Sequence, residues 1–319
     1  MRHRLRVSAL AATLIVCGTL AAGVSSLRVY PERPINLVVP WGVGGGGDRV
    51  GRVIAGLLAS KLGVSVPVIN ITGASGQVGL NKVLNDPADG YNIIEITSDT
   101  YILFARPNAR FKVSDFAPIA IVDQQLSGFF LRYDSPWKTW NDVLAAAKTK
   151  SVKVAGSGIG TQSDVTVNYL NRDMGLNFVS IPFPDPGLRW SAVLGDHAEL
   201  LYAQFGDLDT YLASKKLRPI LSFADKRIDG FPDIPASKEL GYRIDITHFR
   251  SIAVKAGTQP AVYDALLGAT NAISDTPEYK KMLEAQTALP DSYIPGPKAQ
   301  DYVEAWVSAV RSLISTAAR

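Results

Sequence analysis

Short apolar runs alternate with longer amphipathic segments along most of this chain. Residues 35–40 (INLVVP) predict a buried strand, and in residues 50–62 apolar side chains recur every three or four positions. That spacing places them on one face of a helix, for which Asp48 is the expected N-cap. Two further apolar runs, residues 66–71 and 92–97, complete a β-α-β-α-β order. This order predicts a parallel sheet with helices on its faces.

The same plan begins again in the second half of the chain. Strands are predicted over residues 128–132, 152–155, 177–181, 199–202 and 217–223, with a second glycine-rich turn at residues 156–160. A helix is predicted over residues 140–148. The last strand, residues 251–254, is followed only by helices, predicted near residues 260–274, 277–286 and 300–317, which we expect to pack on the first unit. The chain is therefore predicted to be α/β with two domains, where residues 29–126 together with 250–319 form domain 1 and residues 127–249 form an inserted domain 2.

The first 28 residues are interpreted as an export signal rather than as part of the fold. Arg2, Arg4 and Arg6 precede an uncharged run that ends in small residues, which is the order of a cleaved signal peptide. A membrane-spanning anchor is the alternative, but Ala, Gly, Ser and Thr dilute the hydrophobicity of the run and no charge cluster follows it. A lipid anchor on Cys17 is disfavoured because Val16 stands where a small residue is wanted.

The charge balance changes once this segment is set apart. The chain has 33 Lys and Arg against 29 Asp and Glu, and four of the arginines lie in the first 28 residues, which leaves 29 basic residues against 29 acidic ones. A body without net charge is a poor partner for nucleic acid or for an anionic membrane. Cys17 is the only cysteine of the sequence, so we expect neither a disulfide nor thiol chemistry in the mature protein.

Glycines follow the first predicted strand at the place where a helix begins. Gly42, Gly44 and Gly47 match the G-x-G-x-x-G fingerprint of dinucleotide-binding folds, but no acidic residue ends the second strand to hold a ribose. Junctions in which glycines connect a strand to a helix commonly bind anions, because glycine lets the backbone approach a ligand and the helix N-terminus offers free amides. The first junction is predicted to bind an anion. For the second, with Thr161 at the helix start, a binding site and a tight turn both remain open.

Motifs of catalysis and metal binding are missing from the sequence. The two histidines beyond the signal segment lack metal-ligand spacing, and no nucleophile elbow or Walker lysine occurs. We therefore expect no enzyme activity, no metal and no cofactor. Asp207 and Asp209 are expected to cap a helix, and Arg189 and Arg250 to form surface or interdomain ion pairs.

Seven short motifs stand out along the chain. The longest is YPERPINLVVPWGVGGGGD at residues 30–48, with a Tyr-Pro start, a strand that ends in Pro, an aromatic residue and a glycine-rich stretch closed by Asp. The others are Gly73–Gly76, Pro87–Tyr91, Asp115–Pro118, Gly158–Thr161, Pro232–Pro235 and Ala256–Thr258. In colinear order over nearly the whole mature chain, they resemble the solute receptors of tripartite tricarboxylate transporters, also called Bug receptors.

The resemblance implies a two-domain periplasmic-binding-protein fold, similar to type II, with a hinged cleft between the α/β domains. It implies an exported, monomeric receptor of the periplasm that captures a small organic carboxylate and delivers it to the membrane permease subunits of a tripartite transporter. Two chain crossings, near residues 124–129 and 247–251, are expected to act as hinges. Ser98 is placed in a loop after the third strand, and the implied ligand-binding residues are Trp41, Gly44, Gly45, Gly46, Ser98, Thr161, Gln162 and Phe183.

The chain departs from the family pattern at several positions, of which Pro184-Asp185 bears on the ligand. The family commonly has Lys-Gly there, so an acid replaces a cation beside the expected pocket. An acid at that wall disfavours a second carboxylate and predicts a monocarboxylate or an amino-acid-like ligand. A side chain of Asp185 that points to solvent is the alternative. The alternative functions are a ligand sensor for a membrane kinase and an exported hydrolase or dinucleotide-dependent enzyme.

Overall fold

The structure is a computed structural model that describes residues 30–244, 246–289 and 291–317, so the predicted signal peptide and Cys17 lie outside the described residues. Most of its strands coincide with the apolar runs of the sequence. They are β1 (Asn36–Val39), β2 (Val68–Asn70), β3 (Asn92–Thr97), β4 (Phe116–Gln125), β5 (Ser127–Arg132), β6 (Val152–Gly156), β7 (Phe178–Pro182), β8 (Leu200–Gln204), β9 (Leu217–Phe223), β10 (His248–Lys255) and β11 (Ile294–Pro295).

The helices follow the amphipathic segments. They are α1 (Gly46–Leu62), α2 (Gln77–Asn85), α3 (Ser98–Ala105), α4 (Trp140–Thr149), α5 (Gln162–Met174), α6 (Pro186–Leu194), α7 (Asp209–Ala213), α8 (Pro260–Ser274), α9 (Pro277–Ala285) and α10 (Gly296–Ala317). The helices predicted over residues 140–148, 260–274 and 277–286 are confirmed to within one residue at each end. None of the helices in the described part is long and apolar enough to cross a membrane.

The strands form two sheets with the same internal plan. The first has the order β11-β4-β10-β3-β1-β2 and the second has the order β7-β6-β8-β5-β9. We call the first sheet, with the helices packed on it, the first lobe, and the second sheet, with its helices, the second lobe. In the first lobe β1 is parallel to β2 and β3, and in the second β6 is parallel to β7 and β8. In the first sheet the edge strand β11 is antiparallel to β4. The inner strands β10 of the first sheet and β5 of the second are each antiparallel to both of their neighbours.

Strands β5 and β10 are the ones that follow the crossings between the lobes. Only Leu126 separates β4 of the first lobe from β5 of the second, and β10 enters the first lobe at His248, which pairs with Gln125 at the end of β4. The parallel strands end at the cleft, whereas a crossing chain enters each sheet from the cleft and must run away from it. This is why the sheets are mixed rather than wholly parallel. Hinge motion at the two crossings stays a prediction.

The C-terminal helices return to the first lobe, as expected. α8 and α9 lie against α1, and α10 lies against α3 and β4. Buried side chains that include Tyr101, Phe129 and Phe249 belong to one apolar core that continues across the crossings. The predicted α/β architecture is confirmed. The domain limits, residues 29–126 with 250–319 and residues 127–249, stay predictions.

Two local predictions beside the cleft are wrong. α1 begins at Gly46 with Gly45 as its N-cap, so Asp48 lies in the first turn, where its carboxylate accepts a hydrogen bond from the Gly44 amide (2.9 Å). Ser98 does not lie in a loop, because it is the first residue of α3. All eight residues of α3 are buried. The sequence there lacks the polar face by which an amphipathic helix is recognised.

Candidate ligand-binding site

A small cavity lies between the lobes, at the carboxyl ends of parallel strands of both sheets, where α/β folds bind ligands. We call it the interlobe cavity. Its volume is about 40 Å³, which gives room for about three water molecules. A Cβ on Gly45 would lie 2.6 Å from Cγ of Pro186, so the lobes touch beside the cavity. The first lobe contributes Trp41, Gly45, Gly46, Gly47, Thr97, Asp99, His248 and Arg250 to its wall, and the second contributes Ser157, Pro184, Pro186, Arg189, Gln204 and Asp207.

Two charged side chains lie against the N-terminus of α1. A Cβ on Gly46 would overlap Oδ1 of Asp207 and Nη2 of Arg250, so only glycine fits there. Asp207 follows β8 in the second lobe, and its Oδ1 lies 3.4 Å from Nη2 of Arg250 and 3.3 Å from Nη2 of Arg49. The prediction that Asp207 and Asp209 cap a helix is wrong, since Leu208 precedes α7 without a side-chain cap. Asp207 is buried and joins the two lobes instead.

Arg250 is paired on two sides, with 2% of its side chain exposed. Its Nη1 donates to Asp123 within the first lobe, and its Nη2 donates to Asp207 of the second lobe. Burial alone would lower the pKa of Arg250, but Asp123, Asp207 and Glu95 raise it above its ordinary value. The guanidinium therefore stays charged, and the aspartates compensate for its removal from water. The predicted interdomain ion pair of Arg250 is confirmed.

A second carboxyl group, that of Asp99, belongs to the first lobe and bonds to the second lobe across the cleft. Asp99 belongs to α3 of the first lobe and accepts a hydrogen bond from the backbone amide of Gln162 (2.8 Å), the first residue of α5 in the second lobe. Burial raises the pKa of Asp99, whereas that amide and the charge of Arg189 oppose the rise. A carboxyl group of the other lobe therefore lies at each of the N-termini of α1 and α5, and the one at α5 accepts a hydrogen bond from a backbone amide.

Arg189 is buried in α6 but has no ion-pair partner among the described residues. It lines the interlobe cavity with 6% of its surface exposed. Its Nη1 donates to Oγ of Ser157 (2.7 Å), while its Nε has no hydrogen-bond partner. Burial lowers the pKa of Arg189, yet a guanidinium stays protonated in proteins. The charges of Asp207 and Asp99 oppose the fall in the pKa of Arg189, but neither carboxylate forms an ion pair with it. Because a buried charge without a direct partner is unfavourable, an anion that enters the cavity is stabilised here.

His248 offers a hydrogen-bond acceptor to the same cavity. The side-chain amide of Gln162 donates to two backbone carbonyls just before His248, which turns its Oε1 towards Nδ1 of the ring (3.0 Å). Since Oε1 can only accept, Nδ1 carries the proton and Nε2 is left as a bare acceptor. Nε2 is buried without a partner. Burial, together with Arg250 and Arg189, lowers the pKa of His248 well below its ordinary value, so the ring is neutral.

A carboxyl group without hydrogen bonds lies behind the glycine loop. Both side-chain oxygens of Glu95 are buried and unpartnered, and a Cβ on Gly47 would lie 2.6 Å from Oε1. Burial raises the pKa of Glu95 to about 8, although Arg250 opposes the rise. Glu95 is therefore mostly protonated at neutral pH, and the charge of Arg250 is balanced by the two aspartates.

Five of the eight residues implied by the family resemblance lie at the cavity or directly behind it. Trp41, Gly45 and Gly46 line it. Ser98 and Gln162 lie behind His248, with Oγ of Ser98 3.0 Å from Nδ1 of the ring. These two positions can act on a ligand only through the orientation that they give to the ring.

The other three implied residues are not part of the cavity wall. The Gly44 amide is bonded to Asp48, the Thr161 hydroxyl donates to the Gly158 carbonyl (2.7 Å), and Phe183 packs against the core of the second lobe. Their local bonding accounts for these positions. A ligand-binding role for any of the eight residues stays a prediction.

The far wall of the cavity differs from the expectation based on Pro184-Asp185. Pro184 lines the cavity, but Asp185 is exposed and caps α6 by accepting a hydrogen bond from the Leu188 amide (3.0 Å). A capping Asp followed by Pro at the first helical position is a strong start signal, so α6 begins at Pro186. Arg189 lies one turn further along α6, and this positively charged residue lines the interlobe cavity.

Asp99, Asp207 and His248 were not predicted as site residues from the sequence. Arg189 was predicted to form an ion pair, and it forms none with the described residues. These four residues come from segments far apart in the chain, so no motif spacing relates them. No local signal marks Arg189 either, because a charge next to a core aromatic residue is ordinary on an amphipathic helix, where neighbouring side chains point in different directions.

Two lobes that close on a polar cavity beside adjacent chain crossings define a periplasmic solute-binding receptor. The model of the TctC family, which is described as "Tripartite tricarboxylate transporter family receptor", matches residues 50–305 of this chain. The chain belongs to this family, and the resemblance predicted from its motifs is confirmed.

Three solved structures show how far the likeness extends. A TctC solute binding protein from Polaromonas is 29% identical with a TM-score of 0.66, covering 90% of this chain and 99% of that chain. The periplasmic binding protein BugD is 26% identical with a TM-score of 0.82, covering 91% and 99%. MatC from Rhodopseudomonas palustris with bound malate is 22% identical with a TM-score of 0.82, covering 89% and 100%, and this likeness shows the fold alone.

Proposed function

We propose that this protein is an exported periplasmic receptor that captures a small organic carboxylate in the interlobe cavity and delivers it to the permease subunits of a tripartite transporter. Family membership and the likeness to a TctC solute binding protein support the receptor role. BugD is a periplasmic binding protein, which supports the location. The ligand class rests on one observation, the buried guanidinium of Arg189, which has no ion-pair partner in the described part of the chain.

The cavity offers enough interaction energy for binding without a reaction. Micromolar affinity corresponds to about −8 kcal/mol. A charge-assisted hydrogen bond contributes roughly 1.5–3 kcal/mol, and Arg189 can donate more than one to a carboxylate. Apolar contact with Trp41, whose Nε1 is held by Oγ1 of Thr97 (3.2 Å), adds to this. A few polar contacts and one aromatic face therefore suffice for a receptor.

A hydrolase is less well supported, although a serine and a histidine are in contact. Oγ of Ser98 lies 3.0 Å from Nδ1 of His248, as it would in a catalytic pair. However, Ser98 is fully buried, accepts a hydrogen bond from the Phe249 amide, and lies outside the cavity wall. Its hydroxyl has no path to a bound solute, so we propose that the protein binds its ligand without transforming it.

The proposal is tested by a thermal-shift screen of small carboxylates, followed by calorimetry on the purified protein. A carboxylate at 100 times its dissociation constant should stabilise the fold by about 2.7 kcal/mol. Arg189→Met should weaken every carboxylate that binds by at least about 10-fold. Arg227→Met is the matched control, because Arg227 lies in the same half of the chain in an exposed pair with Glu239. If no carboxylate binds, or if both variants behave alike, the proposal is wrong.

A further inference from the structure

Two buried side chains, each with one nitrogen that has no hydrogen-bond partner among the described residues, face the same small cavity. Arg189 presents N–H donors with a positive charge, and Nε2 of His248 presents a neutral acceptor. Leaving both unpaired is unfavourable. A ligand that satisfies both at once needs an anionic group for Arg189 and a hydrogen-bond donor for His248.

Two acidic side chains of the protein lie at the helix N-termini beside the cavity. Asp207 lies against Gly46 at the N-terminus of α1, and Asp99 accepts a hydrogen bond from the first amide of α5. A second carboxylate of the ligand would therefore meet two acidic side chains. Like charges in a partly desolvated cavity repel strongly, so the cavity has one place for a carboxylate.

The donor that fits His248 is a hydroxyl rather than an ammonium group. Arg250 and Arg189 line the same cavity as the ring. The same positive charges disfavour a second cation next to Nε2. A neutral hydroxyl donates one hydrogen bond to Nε2 without this repulsion.

The size of the cavity limits the length of the ligand. A volume of about 40 Å³ corresponds to about three water molecules, so the space favours carboxylates with the shortest substituents. Contact between Gly45 and Pro186 closes the space beside it. The hydroxyl must therefore lie close to the carboxylate.

We propose that the receptor is selective for short monocarboxylates with a hydroxyl on the neighbouring carbon, whose carboxylate binds Arg189 and whose hydroxyl donates to Nε2 of His248. Asp99 and Asp207 act as specificity-determining residues that exclude a second carboxylate. This assignment rests on the proposed carboxylate-receptor function and narrows its ligand class.

Calorimetry with four acids tests the assignment on the wild-type protein. Lactate has the hydroxyl, propionate lacks it, alanine has an ammonium in its place, and malate adds a second carboxylate. We expect lactate to bind about 10-fold more tightly than propionate and alanine, and about 100-fold more tightly than malate. Equal binding of lactate and propionate, or malate binding as tightly as lactate, would overturn the assignment.

Two variants assign the effects to residues. His248→Phe should bring lactate to the affinity of propionate and leave propionate unchanged, with the exposed His197→Phe as its control. Asp99→Asn keeps the size of the side chain and should strengthen malate about 10-fold relative to lactate, with the exposed Asp196→Asn as its control. If a variant does not fold, the ligand series on the wild type still decides.

The failure of this assignment differs from the failure of the receptor proposal. If malate binds best and Arg189→Met weakens it, the carboxylate receptor stands and the monocarboxylate assignment is wrong. If none of the four acids binds, and the wider carboxylate screen is also negative, both are wrong.

Discussion

The two glycine-rich junctions begin alike and end in different surroundings. Each follows a strand and precedes a helix at the cleft. At the first, Gly45 and Gly46 line the interlobe cavity, and the backbone of Gly46 is in contact with Asp207 and Arg250. At the second, a Cβ on Gly158 would lie 3.1 Å from Oγ of Ser75, and one on Gly160 would overlap Arg106.

The first junction thus combines a ligand wall with an ion pair between the lobes, whereas the second is a docking surface for side chains of the first lobe. Arg106 donates a hydrogen bond to the carbonyl of Ile159 (3.2 Å), and Asp99 accepts one from the amide of Gln162. The same local motif therefore supports two roles. What decides between them is which side chains the opposite lobe brings to the glycines.

The largest expected effect comes from the ion pair at the first junction. Arg250→Met should lower the free energy of unfolding by about 3–5 kcal/mol, because it leaves Asp123 buried without its cation. Chemical denaturation measures this loss. Arg33→Met, in an exposed pair with Asp89, should cost at most about 1 kcal/mol. A similar loss in both variants would show that the buried pair has no special weight.

A side chain at Gly46 should separate binding from folding. Gly46→Ala brings a methyl group into Asp207 and Arg250, so the lobes cannot close and carboxylate affinity should fall at least about 100-fold, or about 2.7 kcal/mol. Calorimetry measures the loss, and small-angle scattering should show a larger radius of gyration. Gly56→Ala in the same helix is the control, since a Cβ there meets no atom within 4 Å. Wild-type affinity in Gly46→Ala would contradict the role of this contact.

The pH dependence of stability should reveal Glu95 behind the first junction. The folded protein keeps the proton of Glu95 up to about pH 8, which is above the ordinary pKa of Glu. The contribution of this proton to stability is therefore fully present below the ordinary pKa of Glu and is lost as pH rises from there towards 8. Over that window the free energy of unfolding should fall by up to about 1.4 kcal/mol per pH unit. Glu95→Gln should flatten this slope, which denaturation at several pH values measures. An unchanged slope would show that Glu95 does not carry it.

The smallest effect on carboxylate affinity is expected at the second junction. Gly160 has φ of 71°, where a side chain costs about 1–2 kcal/mol, and its neighbour is the movable end of Arg106. Gly160→Ala should therefore lower stability by that amount and change carboxylate affinity less than about 3-fold. A loss of affinity as large as that of Gly46→Ala would make the two junctions equivalent.

Much of the fold could be predicted because most of its elements have one apolar and one polar face. α8 was predicted to the residue, since its apolar positions repeat regularly and Pro260 marks its start. α3 was missed because it is buried all round, and the strand β4 because it ends in the polar residues Asp123, Gln124 and Gln125. Those side chains are buried through partners that lie far away in the sequence.

The candidate site was less predictable for the same reason. The glycine loop and Trp41 have a local signature, and they line the cavity. Arg189 and His248 are candidate binding groups only because each has a nitrogen that lacks, among the described residues, the partner that most buried polar groups have. Pairing and its absence are properties of the assembled lobes, so sequence patterns do not show them.

The contact between Asp207 and Arg250 also has a kinetic consequence. Opening the cleft separates these groups and exposes them to water. Both are shielded from water in this structure, where 4% of the Asp207 side chain and 2% of the Arg250 side chain are exposed. We therefore expect a slow dissociation rate and a long residence time for a bound carboxylate. Stopped-flow measurements should show faster release from Asp207→Asn than from the wild type. On this view, release to a transporter depends on a membrane partner that lowers the barrier to opening.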